Sequence, residues 1–256
     1  GEDLVAWQLA VAEGRPLPKS QDQIRRHGAA MEVRLYAENP YQQFLPSAGR
    51  LDELRWPEQV RVDSGCEAGD RVSDHYDPMI AKLISHGDDR DQARRRLISA
   101  LDDLALSGVH HNAAFLHQVL SSTVFADAQL DTRLLDKHPE LMTPAPADSA
   151  LIAVAAAAAV AAHSSGDDPW GSLPGWRPLG QKRTLIPLRV GDQPHTVVVE
   201  NDQAQVDGRQ APFHLRRRGT AFELRWGDRH LAGHLIHRDR HLGVFVHGQD
   251  YPVEVH

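Results

Sequence analysis

Cysteine is nearly absent: Cys66 stands alone among 256 residues, which excludes an intrachain disulfide framework and fits a reducing compartment. Long apolar runs are missing too. The longest, from Ala150 to Ala162, has 13 residues, whereas a membrane-spanning helix needs roughly 20, so this run reads as a buried helix. There is no excess of positive charge: 28 Lys and Arg against 35 Asp and Glu leave a formal −7, with no electrostatic footprint for nucleic acid or an anionic membrane. The opening stretch GEDLVAWQLAVAEG is acidic and amphipathic and lacks the basic region of a signal peptide. A cytoplasmic location is the resulting expectation. What remains, 41% hydrophobic and 25% charged residues, is the balance of a globular protein long enough for two domains.

The first part reads as mixed α+β. Leu4, Val5, Trp7, Leu9 and Val11 fall on a helix that begins at once and stops near Gly14 and Pro16; so abrupt a start suggests a cut inside a larger protein. In GAAMEVRLYAE, Met31, Val33 and Leu35 alternate with Glu32, Arg34 and Tyr36, the period of a strand, which ends at the turn signal Asn39-Pro40. Short strands are expected near 49–54, 60–63 and 79–85, a helix over 90–106 with Ala93, Leu97, Ala100, Leu101 and Leu104 on one stripe, and a second helix over 112–120. Because the opening helix has no upstream core to cover all its apolar residues, an exposed apolar patch is predicted there.

Composition shifts at Pro139–Pro146, which places a boundary between a first domain, 1–140, and a second, 141–256. An alanine-rich helix follows, with Asp148 or Ser149 as its N-cap. Then comes a Gly/Pro/Ser linker, SSGDDPWGSLPGW. Eight strand-like runs complete the chain, at 182–190, 194–200, 203–207, 210–217, 220–226, 229–238, 241–247 and 250–255, joined by tight turns such as Asp207-Gly208 and Gly248-Gln249. Such a series predicts an antiparallel barrel or sandwich. Wrapping it around the alanine helix would bury that helix, with Phe213, Phe222, Leu224, Val244 and Val246 facing inward.

Seven stretches in order carry a resemblance: GEDLVAWQLAVAEGRPLP, MEVRLYAENP, FLPSAGRL, VDSG, HYDPMIAKLI, GVHHNAAFL and LDTRLL, together covering residues 1 to about 137. They resemble the end of the biotin carboxylase region of biotin-dependent acyl-CoA carboxylase α subunits. The alanine helix, the DPWGSLPGWR linker and the β-rich remainder resemble the BT domain that joins carboxylase to carboxyltransferase, and the linker points toward the 3-methylcrotonyl-CoA type. Geranyl-CoA, propionyl-CoA and acetyl-CoA carboxylase α subunits stay open, as does a purely structural assembly module. The resemblance implies a ligase that carboxylates biotin with ATP, Mg2+ and bicarbonate, partnered by a carboxyltransferase β subunit and by the biotin carrier domain of its parent chain in a hetero-oligomer.

The resemblance also assigns residues. Arg34 matches the biotin-facing arginine, whose permanent charge suits a developing negative oxygen; read on its own, it is an exposed charge on an alternating strand. Asp77, in HYDPM, is expected to orient Arg34 by a charge-assisted hydrogen bond, although an Asp-Pro turn explains it equally. Tyr76 falls on the biotin side, Leu134 on the adenine side, and Arg61 near a carboxylase dimer contact. Lys82 reads as a solvent-facing strand residue. Trp170 and Trp176 of the linker could anchor the β subunit or pack on the barrel.

The sequence contains no glycine-rich phosphate loop, and none of Lys19, Lys82, Lys137 and Lys182 follows a methionine as a biotin-carrying lysine would. The chain alone is therefore expected to be inactive, with no cofactor bound. His230, His234, His237, His241 and His247 cluster late, but without cysteine or HExxH spacing they read as surface histidines rather than metal ligands. Ser64, Asp63 and His75 lack a nucleophile elbow.

Overall fold

In the computed structural model, residues 2–73, 75–144, 148–163, 183–238 and 241–256 are described. The linker with Trp170 and Trp176 lies outside them.

The first unit is α+β. Helix α1 spans Leu4–Ala12, and the Asp3 carboxylate accepts from the Ala6 N–H at its N-terminus. Strands β1 (Ala29–Tyr36), β3 (Arg61–Ser64) and β4 (Met79–Gly87) form an antiparallel sheet in which β4 is central. Alternation decides its faces: Val33, Leu35 and Leu83 point into the core, where helix α2 (Arg90–Asp102) packs through Ala93, Leu97, Ala100 and Leu101. Helix α2 ends earlier than the periodicity suggests. Leu104 is buried but lies outside the helix, and Ala105–Ser107 form strand β5, paired with strand β2 (Glu53–Arg55). Backbone pairing with a distant segment overrides the local helical pattern there. Helix α3 spans Ala113–Ser121.

The second unit is a closed antiparallel barrel of eight strands around helix α4 (Ser149–His163). In order they are β6 (Arg183–Val190), β7 (Gln193–Glu200), β8 (Gln203–Val206), β9 (Arg209–Arg218), β10 (Ala221–Trp226), β11 (Arg229–Arg238), β12 (His241–Val246) and β13 (Gln249–Val255). Pairing of Leu188 with Val255 closes the ring. The inside of an eight-stranded barrel is normally just wide enough for its own side chains. A helix fits there because its own side chains are short: Ala153, Ala155, Ala156, Ala157 and Ala159 are fully buried against the inward faces of the strands. Phe222, Leu224, Val244 and Val246 point inward as expected, with Phe213 partly buried beside them. Trp226 is fully buried and donates its indole N–H to the Ala204 carbonyl at 3.0 Å. Asp148 is the N-cap, accepting from the Leu151 N–H, and Arg229 of the barrel wall forms an ion pair with it.

The units touch through two polar clusters. Arg55 donates to the Thr220 hydroxyl at 2.5 Å, and Thr220 is 3.1 Å from His234 Nδ1. His234 shares the outward face with His230, yet only His234 is covered, with its Nε2 4.0 Å from Asp103. Phe245, its cross-strand partner, faces outward too and is 1% exposed. In the second cluster, Asp102 at the end of α2 accepts from His247, which lies in the turn between β12 and β13. That turn is His247-Gly248, one residue earlier than the sequence suggests, and both residues have positive φ, as a tight hairpin demands. A side chain at Gly248 would put a Cβ 3.0 Å from Ala113 of helix α3.

Candidate functional site

Arg34 sits mid-strand on the outward face of β1. Directly across from it on β4 is Lys82, and across from Lys82 on β3 is Asp63, so the three lie in one row over the sheet. The Arg34 side chain is 59% exposed and lies 3.6 Å from the Glu32 carboxylate. A hydrogen bond to the Tyr36 hydroxyl, the field of that same group and Glu32 all favour the charged guanidinium, and its pKa is raised above the ordinary arginine value.

The strand that carries Arg34 is clamped from behind. Asn112, 4% exposed, precedes helix α3. Its Oδ1 accepts from the Tyr36 N–H at 2.9 Å, and its Nδ2 donates to the Arg34 carbonyl at 3.1 Å and to Glu38 Oε1 at 3.2 Å. The Asn112 N–H donates to the Tyr36 carbonyl at 3.2 Å. These bonds occupy the Arg34 carbonyl and both backbone groups of Tyr36 at the end of β1, where pairing with β4 is irregular between Leu35 and Tyr36. Burial raises the Glu38 pKa, the bond from Asn112 opposes this, and the negative field of Asp77 adds to the rise.

The expected bond between Asp77 and Arg34 does not form among the described residues. Asp77 is exposed and its charge acts on Glu38, while Arg34 engages Glu32 and Tyr36. The reason is local: Asp77 belongs to the exposed approach to β4, whereas Glu32 and Tyr36 lie two residues either side of Arg34 on the same strand face. Tyr76 is 84% exposed. Arg61 is tied to Asp63 by two hydrogen bonds of 2.8 and 3.0 Å. Leu134 opens the short helix Leu134–Lys137 and is half-buried; no described contact joins it to Arg34. Ser64 donates to the Ile80 carbonyl at 2.9 Å and accepts from the Cys66 N–H, which makes it a structural hydroxyl.

Sequence reasoning passed over Asn112 and Glu38. An asparagine immediately before a helix is a recognisable signal, but it points to capping, whereas here the side chain is spent on a strand 76 residues away.

An exposed, firmly charged guanidinium on a braced strand can bind an anionic oxygen bidentately. No helix among the described residues is long and apolar enough to cross a membrane.

Comparison with known proteins places both units. Residues 32–137 match the biotin carboxylase C-terminal domain family, and residues 147–256 match the BT domain family of the methylcrotonyl-CoA carboxylase α subunit. The mitochondrial methylcrotonoyl-CoA carboxylase subunit alpha of Dictyostelium discoideum is 40% identical over 188 residues, covering 69% of this chain and 27% of that protein. The mitochondrial propionyl-CoA carboxylase alpha chain of Rattus norvegicus is 38% identical over 224 residues, covering 81% of this chain and 30% of that protein. The chain thus spans under a third of the length of these relatives. Among solved structures, the biotin carboxylase domain of Hydrogenobacter thermophilus 2-oxoglutarate carboxylase, in complex with MgADP, ADP and bicarbonate, is 34% identical with a TM-score of 0.55. The match covers 57% of this chain and 33% of that one. With its α+β unit and its helix-filled barrel, this chain belongs to the α-subunit family of biotin-dependent acyl-CoA carboxylases.

Proposed function

We propose that the chain supplies the biotin-facing wall of a biotin carboxylase through Arg34, and that the barrel from about residue 141 docks a carboxyltransferase β subunit. One observation carries the first half: Arg34 projects from an outward face of a strand whose end Asn112 holds through the Arg34 carbonyl and the Tyr36 backbone. A side chain braced in this way offers a fixed cation to charge that develops on a substrate oxygen, at no cost of reorganisation. Lys82 beside it adds to the positive field. Asp77 and Tyr76, exposed on the approach to β4, are proposed to meet biotin or its carrier domain. Leu134 is proposed to contact adenine. Biotin and ATP with Mg2+ supply the carboxyl-transfer chemistry when bound.

Helix α1 leaves Leu4, Val5, Leu9 and Val11 between 48% and 66% exposed, and a groove of about 530 Å³ runs between this helix and Leu17. Patches of this kind mark contact surfaces. In a subunit of the length of the relatives, the remaining carboxylase core would cover this one. The methylcrotonyl-CoA type is the preferred reading, supported by the BT match; similar identity to propionyl-CoA carboxylase keeps that substrate as the second.

The test is made in a complete subunit. Arg34→Ala should cut carboxylation of free biotin by roughly 10²–10³-fold, the scale of losing one transition-state donor, with ATP binding within error of wild type. Near-normal carboxylation would remove Arg34 from the reaction.

A further inference from the structure

Three ligating side chains meet where the two units join, and the proposed biotin site uses none of them. Asp102 Oδ1 lies 3.2 Å from His117 Nε2 and 2.8 Å from His247 Nδ1, and the three atoms all fall within 4.8 Å of one another. The imidazole rings face each other with centroids 4.8 Å apart. Asp102 ends helix α2, His117 lies on helix α3, and His247 comes from the hairpin of the barrel.

The position of Asp102 calls for a cation. A carboxylate on the last turn of a helix sits at the negative end of the helix dipole, and this one is partly withdrawn from water. Burial alone would raise its pKa, yet the two histidines hold it down to about 2. The backbone that carries His247 is fixed: its left-handed φ of 51° forms the turn, and Gly248 beside it lies so close to Ala113 that an added side chain would clash there.

We propose that Asp102, His117 and His247 form a divalent transition-metal site, best suited to zinc, that staples the barrel to the carboxylase unit. Two imidazoles and one carboxylate are a recognised three-ligand zinc set. With zinc bonds of about 2.0–2.2 Å, ligand atoms around a tetrahedral ion stand about 3.4 Å apart, close to the 3.2 and 2.8 Å that separate Asp102 from the two rings. Metal would take the place of the hydrogen bonds between Asp102 and the two rings, and because each ring must then offer a lone pair, binding weakens in acid. His117 and His247 also line a cleft of about 570 Å³, together with Tyr41, Gln118 and Tyr251, which leaves room for water or a small anion as a fourth ligand.

The test measures Zn2+ alone binding to the 256-residue chain, by calorimetry and by metal content after dialysis, with Co2+ as a spectroscopic substitute. Wild type should take up one Zn2+ more per chain than His247→Asn, show the intense visible bands of four-coordinate Co2+, and melt at a higher temperature with Zn2+ than without. Asparagine tolerates the left-handed turn, so this variant keeps the hairpin. His117→Gln should weaken binding tenfold or more by a second route that does not touch the turn. Equal Zn2+ content and equal thermal shift in wild type and both variants would overturn the proposal, as would loss of the site in His241→Gln, whose ring is exposed elsewhere on the barrel. Absence of any stoichiometric uptake by wild type would overturn it too.

Discussion

Asn112 carries more structural weight than any charged residue near Arg34. It makes four hydrogen bonds to three residues of one strand end, two of them with the backbone of Tyr36. Asn112→Ala would strand the Tyr36 N–H away from water, an omission that costs about 1–3 kcal/mol. Urea denaturation should show that loss, and in a complete subunit biotin carboxylation should fall while ATP binding holds. A variant as stable as wild type would mean that water takes over the bonds. Histidines shape the response to acid. Burial pushes the His111 pKa down to about 4, helped by neighbouring His110 and opposed by the bond from its Nε2–H to the Leu106 carbonyl. Burial, with Arg55 nearby, lowers His234 as well. Folded-state values below the unfolded ones mean that the unfolded chain takes up protons first. The stability linked to neutral His111 is therefore complete above about pH 6.5 and is lost as pH falls from there toward 4, by at most about 1.4 kcal/mol per pH unit. The melting temperature should drop between pH 7 and 5, and His111→Gln should shallow that drop; an unchanged slope would count against a neutral buried His111.

At the scale of elements, the barrel and its helix depend on matched sizes. Ala156 is fully buried inside the ring, so Ala156→Leu forces three extra carbons into filled space. Overpacking of this kind costs about 1–3 kcal/mol, and a lowered midpoint in chemical denaturation would show it. A variant as stable as the parent would mean that the barrel interior is loose. The barrel strands were legible because in several of them inward apolar residues alternate with polar ones, as in Phe222–Trp226, and each turn carries glycine, aspartate or asparagine. The alanine run was legible because it is too apolar to stay in water and too short for a membrane. The end of helix α2 was not: Leu104 and Leu106 continue an apolar pattern, and only pairing of Ala105–Ser107 with Glu53–Arg55 ends it. The same limit hid the contacts of the site. Arg34 could be singled out because a motif surrounds it, whereas its bonds to Asn112 and the meeting of His247 with Asp102 join segments 78 and 145 residues apart, and nothing local announces them.

For the whole molecule, the two units divide the labour: a sheet that presents a braced arginine, and a barrel without a nucleophile, base and oxyanion constellation among its described residues. They are held together by Arg55 with Thr220 and by His247 with Asp102. An outward barrel face remains, with exposed residues such as His230, Arg225 and Glu223, and we propose it as the surface that meets a partner. We propose that this chain both contributes to biotin carboxylation and serves as an assembly module, and the second role is the more directly measurable. Mix the chain with the carboxyltransferase β subunit of its parent enzyme and follow complex formation by analytical ultracentrifugation. The account predicts a defined complex at micromolar concentrations that the full α subunit displaces. Two separate sedimenting species under conditions where the full α subunit does bind would contradict it.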